Sequence, residues 1–141
     1  MTGKGSLNHN SRKFHAKNTD PNRTHWNVEY CNEDIKDVYH ELFDDALKRY
    51  NDKQTRKDRK IDDYYEKIRS GKQEKLFHEV IIQIGDKDNM GSETMEGQLA
   101  AKILDEYMKG FQERNPTLRI FAAHLHLDEA TPHLHIDFIP Y

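Results

Sequence analysis

Hydrophobic and polar positions alternate from His25 to Cys31. Trp26, Val28 and Tyr30 fall on one side of an extended chain and His25, Asn27 and Glu29 on the other, the pattern of a half-buried strand. The period then changes. Ile35, Val38, Tyr39, Leu42, Phe43 and Leu47 recur at helical spacing to about Tyr50, with Asn32 placed to cap that helix and Glu33 and Asp34 in its first turn. A second helix is expected from Arg59 to Arg69, stopped by Gly71, and a β-branched strand from Phe77 to Ile84. A third helix is expected from Met95 to Arg114 on the apolar series Leu99, Ile103, Tyr107 and Phe111. Two strands follow, Leu118 to His126 and His133 to Tyr141, and the six residues between them predict an antiparallel hairpin. Residues 1–24 are mostly polar, contain the turn signal Asp20-Pro21, and read as a loop or arm. The fold class is α+β: an antiparallel sheet with helices packed on one face.

At 141 residues the chain fits one domain, an arm at 1–24 on a sheet-and-helix core at 25–141. No apolar run reaches the ~20 residues that span a bilayer, and Met1 to Asn8 lacks the apolar core of a signal peptide. The single cysteine, Cys31, closes no internal disulfide, so a reducing cytoplasm is expected. The net charge of −3 argues against a nucleic-acid partner. The charge is uneven, however. Lys4, Arg12, Lys13, Lys17 and Arg23 face only Asp20 in the arm, and Lys53, Arg56, Lys57, Arg59 and Lys60 form a second basic run broken by Asp58.

The candidate chemistry lies in the terminal hairpin. In its second strand Leu134, Ile136 and Phe138 point to one face and His133, His135 and Asp137 to the other. Hairpin geometry brings His126 beside His133, so three imidazoles converge on one patch of sheet. Three neutral imidazoles with an open position suit a catalytic divalent metal, and zinc, manganese, nickel and iron all fit such ligands. Asp128 and Glu129, in the connecting loop, are placed to orient a histidine or act as a base, and Asp137 to support or close the site. His124 shares the face of His126 one pair further from the turn and is read as a neighbour.

The segment His126-x-Asp128-Glu129-x-x-Pro132-His133-x-His135 resembles the third motif of the MobV-type plasmid relaxases, the plasmid recombination or Pre/Mob enzymes of the HUH endonuclease superfamily. Asn8-His9-Asn10-Ser11-Arg12 is similar to that family's first motif, and Asp20-Pro21-Asn22-Arg23-Thr24-His25-Trp26-Asn27 to a further family segment. The resemblance implies metal-dependent nicking and rejoining of one DNA strand at a plasmid origin of transfer. It implies His126, His133 and His135 as metal ligands, His9 as the nucleophile forming a covalent bond to DNA, and Glu129 and Arg12 as its catalytic partners. Asn10, Lys13 and Arg23 are expected to contact DNA, and Mn2+ or Mg2+ to serve as the metal. The partner is single-stranded or supercoiled plasmid DNA. The chain is expected to be part of a longer protein that dimerises through a C-terminal region. The strand that usually precedes the first motif is expected to be short or missing, since eight residues precede His9. Rival readings are a rolling-circle initiator, whose tyrosine would follow the histidine motif, and a metallohydrolase of a non-nucleic substrate. A structural metal site on a DNA-binding module is a third.

Overall fold

The computed structural model describes residues 2, 3 and 5–141, so Lys4 of the first basic stretch lies outside the described residues. In chain order the elements are β1 (Thr2–Gly3), α1 (Leu7–Asn10), β2 (Val28–Asn32), α2 (Ile35–Asp52), α3 (Tyr64–Ser70), β3 (His78–Gln83), α4 (Met95–Lys109), α5 (Phe111–Arg114), β4 (Leu118–His126) and β5 (His133–Pro140). Single 3-10 turns lie at Thr24–Trp26 and Lys57–Arg59. Contacts divide the chain into two compact units. One is Glu33–Leu76 with Tyr141, and the other is the residues up to Asn32 with Phe77–Pro140.

The larger unit is a five-stranded antiparallel sheet in the order β1-β3-β5-β4-β2. Strand alternation gives it two faces of opposite character. On one, Ala123, Leu125, Leu134 and Ile136 are fully buried and join Leu104, Met108 and Phe111 of α4 and α5 in the core. The other face carries the polar side chains of the same strands. There His126 pairs directly with His133, His124 with His135, and Glu79 of β3 with Asp137. A bulge between Ile120 and Ala122 resets the alternation, so apolar side chains before it and histidines after it both reach their proper faces. The strand ahead of the first motif is present but two residues long, pairing Thr2 and Gly3 with the outer edge of β3.

The third helix corrects the sequence reading. It breaks at Gly110 into α4 and α5, and its buried face is Gly97, Ala100, Leu104 and Met108. Of the expected series only Phe111 is buried, while Leu99 is 60%, Ile103 49% and Tyr107 40% exposed. The buried residues Ala100, Leu104 and Met108 keep the same spacing of four one residue further along, about 100° around the helix, so the spacing alone does not choose between the two stripes. The first long strand also starts later than expected. Residues 24–26 turn, and Trp26 is exposed, because Thr24 Oγ1 donates to Asp128 (3.1 Å) and Asn27 accepts from the Leu127 amide (2.7 Å).

The smaller unit is a pair of helices. Asp34, not Asn32, caps α2, accepting from the amides of Lys36 and Asp37, and Asp63 caps α3. The second helix is therefore shorter than expected. Tyr39, Phe43 and Tyr64 stack at 5.1–6.0 Å between ring centres, and Asn51 bonds both backbone groups of Ile61.

Candidate functional site

The site begins with what fixes each imidazole. His126 is fully buried, and its Nε2 lies 2.8 Å from the carbonyl of Asn10. A carbonyl only accepts, so Nε2 carries the proton and the Nδ1 lone pair is left facing the site. That Nδ1 is buried without a hydrogen-bond partner, as is Nδ1 of His133. His135 directs Nδ1 at the Glu79 carboxylate (3.4 Å), which leaves its Nε2 lone pair free. Burial pushes His126 down to about 3 and lowers His133 as well. Both rings are thus neutral at ordinary pH, the form a metal ligand needs. The rings of His126 and His135 lie 4.6 Å apart, and those of His133 and His135 6.3 Å. Buried lone pairs without partners, on neutral imidazoles held by rigid strands, fit a divalent cation.

Glu129 stands among these rings. Its carboxylate lies 3.8 Å from His126 Nδ1, 3.6 Å from His133 Nδ1 and 3.3 Å from His9 Nε2. Burial works to raise its pKa, but the Arg12 hydrogen bond and the facing His133 hold it below the ordinary carboxylate range. Among the described residues the compact donor cluster is His9, His126 and Glu129, with ligand atoms within 4.8 Å of one another. His133 and His135 border this cluster.

His9 sits on the single-turn helix α1, which Ser6 caps by accepting from the His9 amide. Arg12 follows with φ +54°, a left-handed conformation that costs a non-glycine residue about 1 kcal/mol. That turn brings the guanidinium back over the site. Its Nε and Nη2 donate to Asp128 at 2.8 and 2.5 Å, Nη2 also to Glu129 at 2.9 Å, and Nη1 lies 3.2 Å from His9 Nε2. Asp128 is wholly buried. Burial opposes its charge, yet bonds from Arg12, Asn27 and Thr24 hold it down to about 2.

Three of the expected site residues, Asn10, Arg12 and Arg23, bond within the protein. Asn10 is 2% exposed, and its amide donates to Glu79 and Asp137. Arg12 is held by two carboxylates, and Arg23 donates to Asp20 and to the carbonyls of Leu127 and Glu129. Their polar groups are committed within the protein, so they shape the site. Lys13 is exposed and stays available. Asp128 anchors the arm and contacts no histidine, and Asp137 turns to Asn10 and Glu79. His124 faces Glu29 (3.0 Å), away from the cluster. The segment Asp20–Asn27 is a buttress for the hairpin loop: the Asp20 amide donates to the Asp128 carbonyl (2.7 Å), and Arg23, Thr24 and Asn27 add the bonds above.

Sequence reasoning missed Ser92, whose hydroxyl donates to the Glu129 carbonyl (2.9 Å), and Glu79. Nothing marks Ser92 in the sequence. Glu79 carried a signal, an acid directly before the apolar run Val80-Ile81-Ile82 of its strand.

The family profile described as plasmid recombination enzyme matches residues 4–141. A comparison with curated proteins returns no match. Among solved structures the chain is similar to the Mn-bound MobM relaxase domain (MOBV; Mob_Pre) bound to plasmid pMV158 oriT DNA (22nt) at pH 5.5. Identity is 28% and the TM-score 0.54, over 96% of this chain and 62% of that one. The same domain with 22nt+3'Thiophosphate DNA at pH 6.8 gives 26% identity and a TM-score of 0.52, again over 96% and 62%. The chain therefore spans 62% of the length of the domain it resembles. Among the described residues no helix is long and apolar enough to cross a membrane.

Proposed function

The chain belongs to the plasmid recombination enzyme family, and from that premise we propose that it nicks and rejoins one strand of plasmid DNA at an origin of transfer, in the cytoplasm, through a covalent bond between His9 and DNA. The observation that carries this reading is the placement of His9 Nε2, 3.3 Å from the Glu129 carboxylate and beside the imidazole cluster.

His9 Nε2 lies between an acceptor, Glu129, and a donor, Arg12. Glu129 draws the proton from Nε2 and leaves its lone pair free to attack. That lone pair forms the N–P bond as the P–O3′ bond breaks, and the proton held by Glu129 passes to the leaving 3′ oxygen. Attack by that hydroxyl reverses the step and restores the strand without an outside energy source. Arg12 already bonds Glu129, so it holds the base as a carboxylate while keeping α1 on the hairpin. His126, His133 and His135 would hold a divalent cation, Mn2+ or Mg2+, which would supply Lewis-acid polarisation of the scissile phosphate and offset its charge. The cluster of His9, His126 and Glu129 favours a second version in which Glu129 is itself a ligand.

The test is nicking of a supercoiled plasmid carrying the cognate origin, with Mn2+, by wild type, His9→Ala and His135→Ala. Site-specific nicking by wild type alone supports the proposal. Nicking by His9→Ala at the wild-type rate removes His9 from the mechanism. A wild-type chain that leaves the plasmid intact counts against the activity.

A further inference from the structure

Glu79 is a buried acid that the proposed mechanism does not use. It is the second residue of β3 and is 6% exposed. Its carboxylate receives Nδ1 of His135 at 3.4 Å and the side-chain amide of Asn10, and it shares a hydrogen bond with Asp137. The chain entering α1 also passes directly over it, since a Cβ at Gly5 would land on the Glu79 carboxyl group. If this position needed only packing, an apolar side chain would fill it at lower desolvation cost.

We propose that Glu79 is the positioning residue that couples the metal-binding strand to the nucleophile helix, holding His135 through one bond and α1 through Asn10. The proposal rests on the function given above. The bond to Nδ1 decides which nitrogen of His135 faces the site, as an acid partner does for a ligating histidine. The bond to Asn10 fixes the end of α1 one residue from His9, and the Asn10 carbonyl fixes the proton on His126. One carboxylate therefore sets the orientation of a ligand and the position of the nucleophile together.

Two variants separate the two arms. Glu79→Gln keeps the size of the side chain but removes the charge that favours Nδ1–H on His135. Asn10→Ala cuts the tether to α1 and leaves Glu79 on His135. The readouts are Mn2+ affinity by EPR without DNA, and nicking as a function of Mn2+. Glu79→Gln is expected to weaken Mn2+ binding about 10- to 100-fold, with the half-saturating Mn2+ for nicking rising by the same factor. Asn10→Ala is expected to keep its Mn2+ affinity while nicking at saturating Mn2+ falls about 10- to 100-fold, because the nucleophile is misplaced. Wild-type Mn2+ affinity in a folded Glu79→Gln overturns the proposal, and so does wild-type nicking by Asn10→Ala, which decides the matter if Glu79→Gln does not fold. A wild-type chain that binds no Mn2+ sinks the metal reading and this proposal together. One that binds Mn2+ but does not nick sinks the proposed function, and EPR still judges the Glu79 bond to His135.

Discussion

Replacing Asp128 by Asn keeps the shape of a wholly buried side chain and removes its charge from the Arg12 guanidinium. The size of the effect follows from protonation linkage. Asp128 has an ordinary value of 3.8 and is held at about 2 in the folded protein. The difference corresponds to about 2 kcal/mol of stability at neutral pH. The folded-state value is depressed, so this contribution is complete above the unfolded value and disappears as pH falls through about 2. At pH 3 about 1 kcal/mol of it should remain. The assay is urea unfolding of wild type and Asp128→Asn followed by far-UV circular dichroism at pH 7 and pH 3. Other carboxylates titrate alike in both proteins, so the gap between them isolates Asp128. The expected gap is about 2–4 kcal/mol at pH 7, the upper end including the cost of leaving Arg12 partly unpaired, narrowing by about 1 kcal/mol at pH 3. A gap below about 0.5 kcal/mol, the range of ordinary surface substitutions, or one that does not change with pH, would refute the claim that this ion pair fastens the arm to the hairpin.

Three further outcomes are expected. Glu129→Gln should lower the single-turnover nicking rate about 100- to 10,000-fold as a lost base; Mn2+ affinity measured on the same variant stays near wild type if Glu129 is a base and falls if it is a ligand. In metal-free protein, long-range 15N NMR should show His126 as the Nε2–H tautomer with no protonation above pH 5, since its pKa is pushed down to about 3; an Nδ1–H signal contradicts the site geometry. Leu104→Ala should cost about 2–5 kcal/mol in urea unfolding as a buried-core truncation, whereas Leu99→Ala, on the exposed side of α4, should stay within about 0.5 kcal/mol. Equal costs would contradict the burial of the Ala100, Leu104 and Met108 stripe.

The terminal hairpin was legible in the sequence because a period of two and a six-residue connection leave few registers open. His126 opposite His133 follows from counting back from the turn. The α4 face was misread because two neighbouring stripes, Leu99-Ile103-Tyr107 and Ala100-Leu104-Met108, share the spacing of four, and only packing with Leu125 and Leu134 reveals which one is buried. The internal partners of Arg12, Arg23 and Asn10 were not legible for a different reason. Sequence shows a donor but not its acceptor, and here the acceptors lie about a hundred residues away in the hairpin loop or on β3. Glu79 was visible as an acid next to the apolar run of its strand, yet its meaning depends on the register with Asp137 and on the arm above it. The compact helical unit of residues 33–76 was not foreseen, because helical periodicity marks an apolar face but not its partner.

The central claim is that His9 bonds covalently to DNA. Incubating wild type with Mn2+ and a single-stranded origin oligonucleotide carrying a leaving group at the scissile phosphate should trap the adduct, and proteolysis with mass spectrometry should locate it. The account predicts a nucleotide attached to the peptide containing His9, labile in acid as a phosphoramidate is, and absent in His9→Ala. An adduct on a tyrosine, or one that persists in His9→Ala, would contradict it.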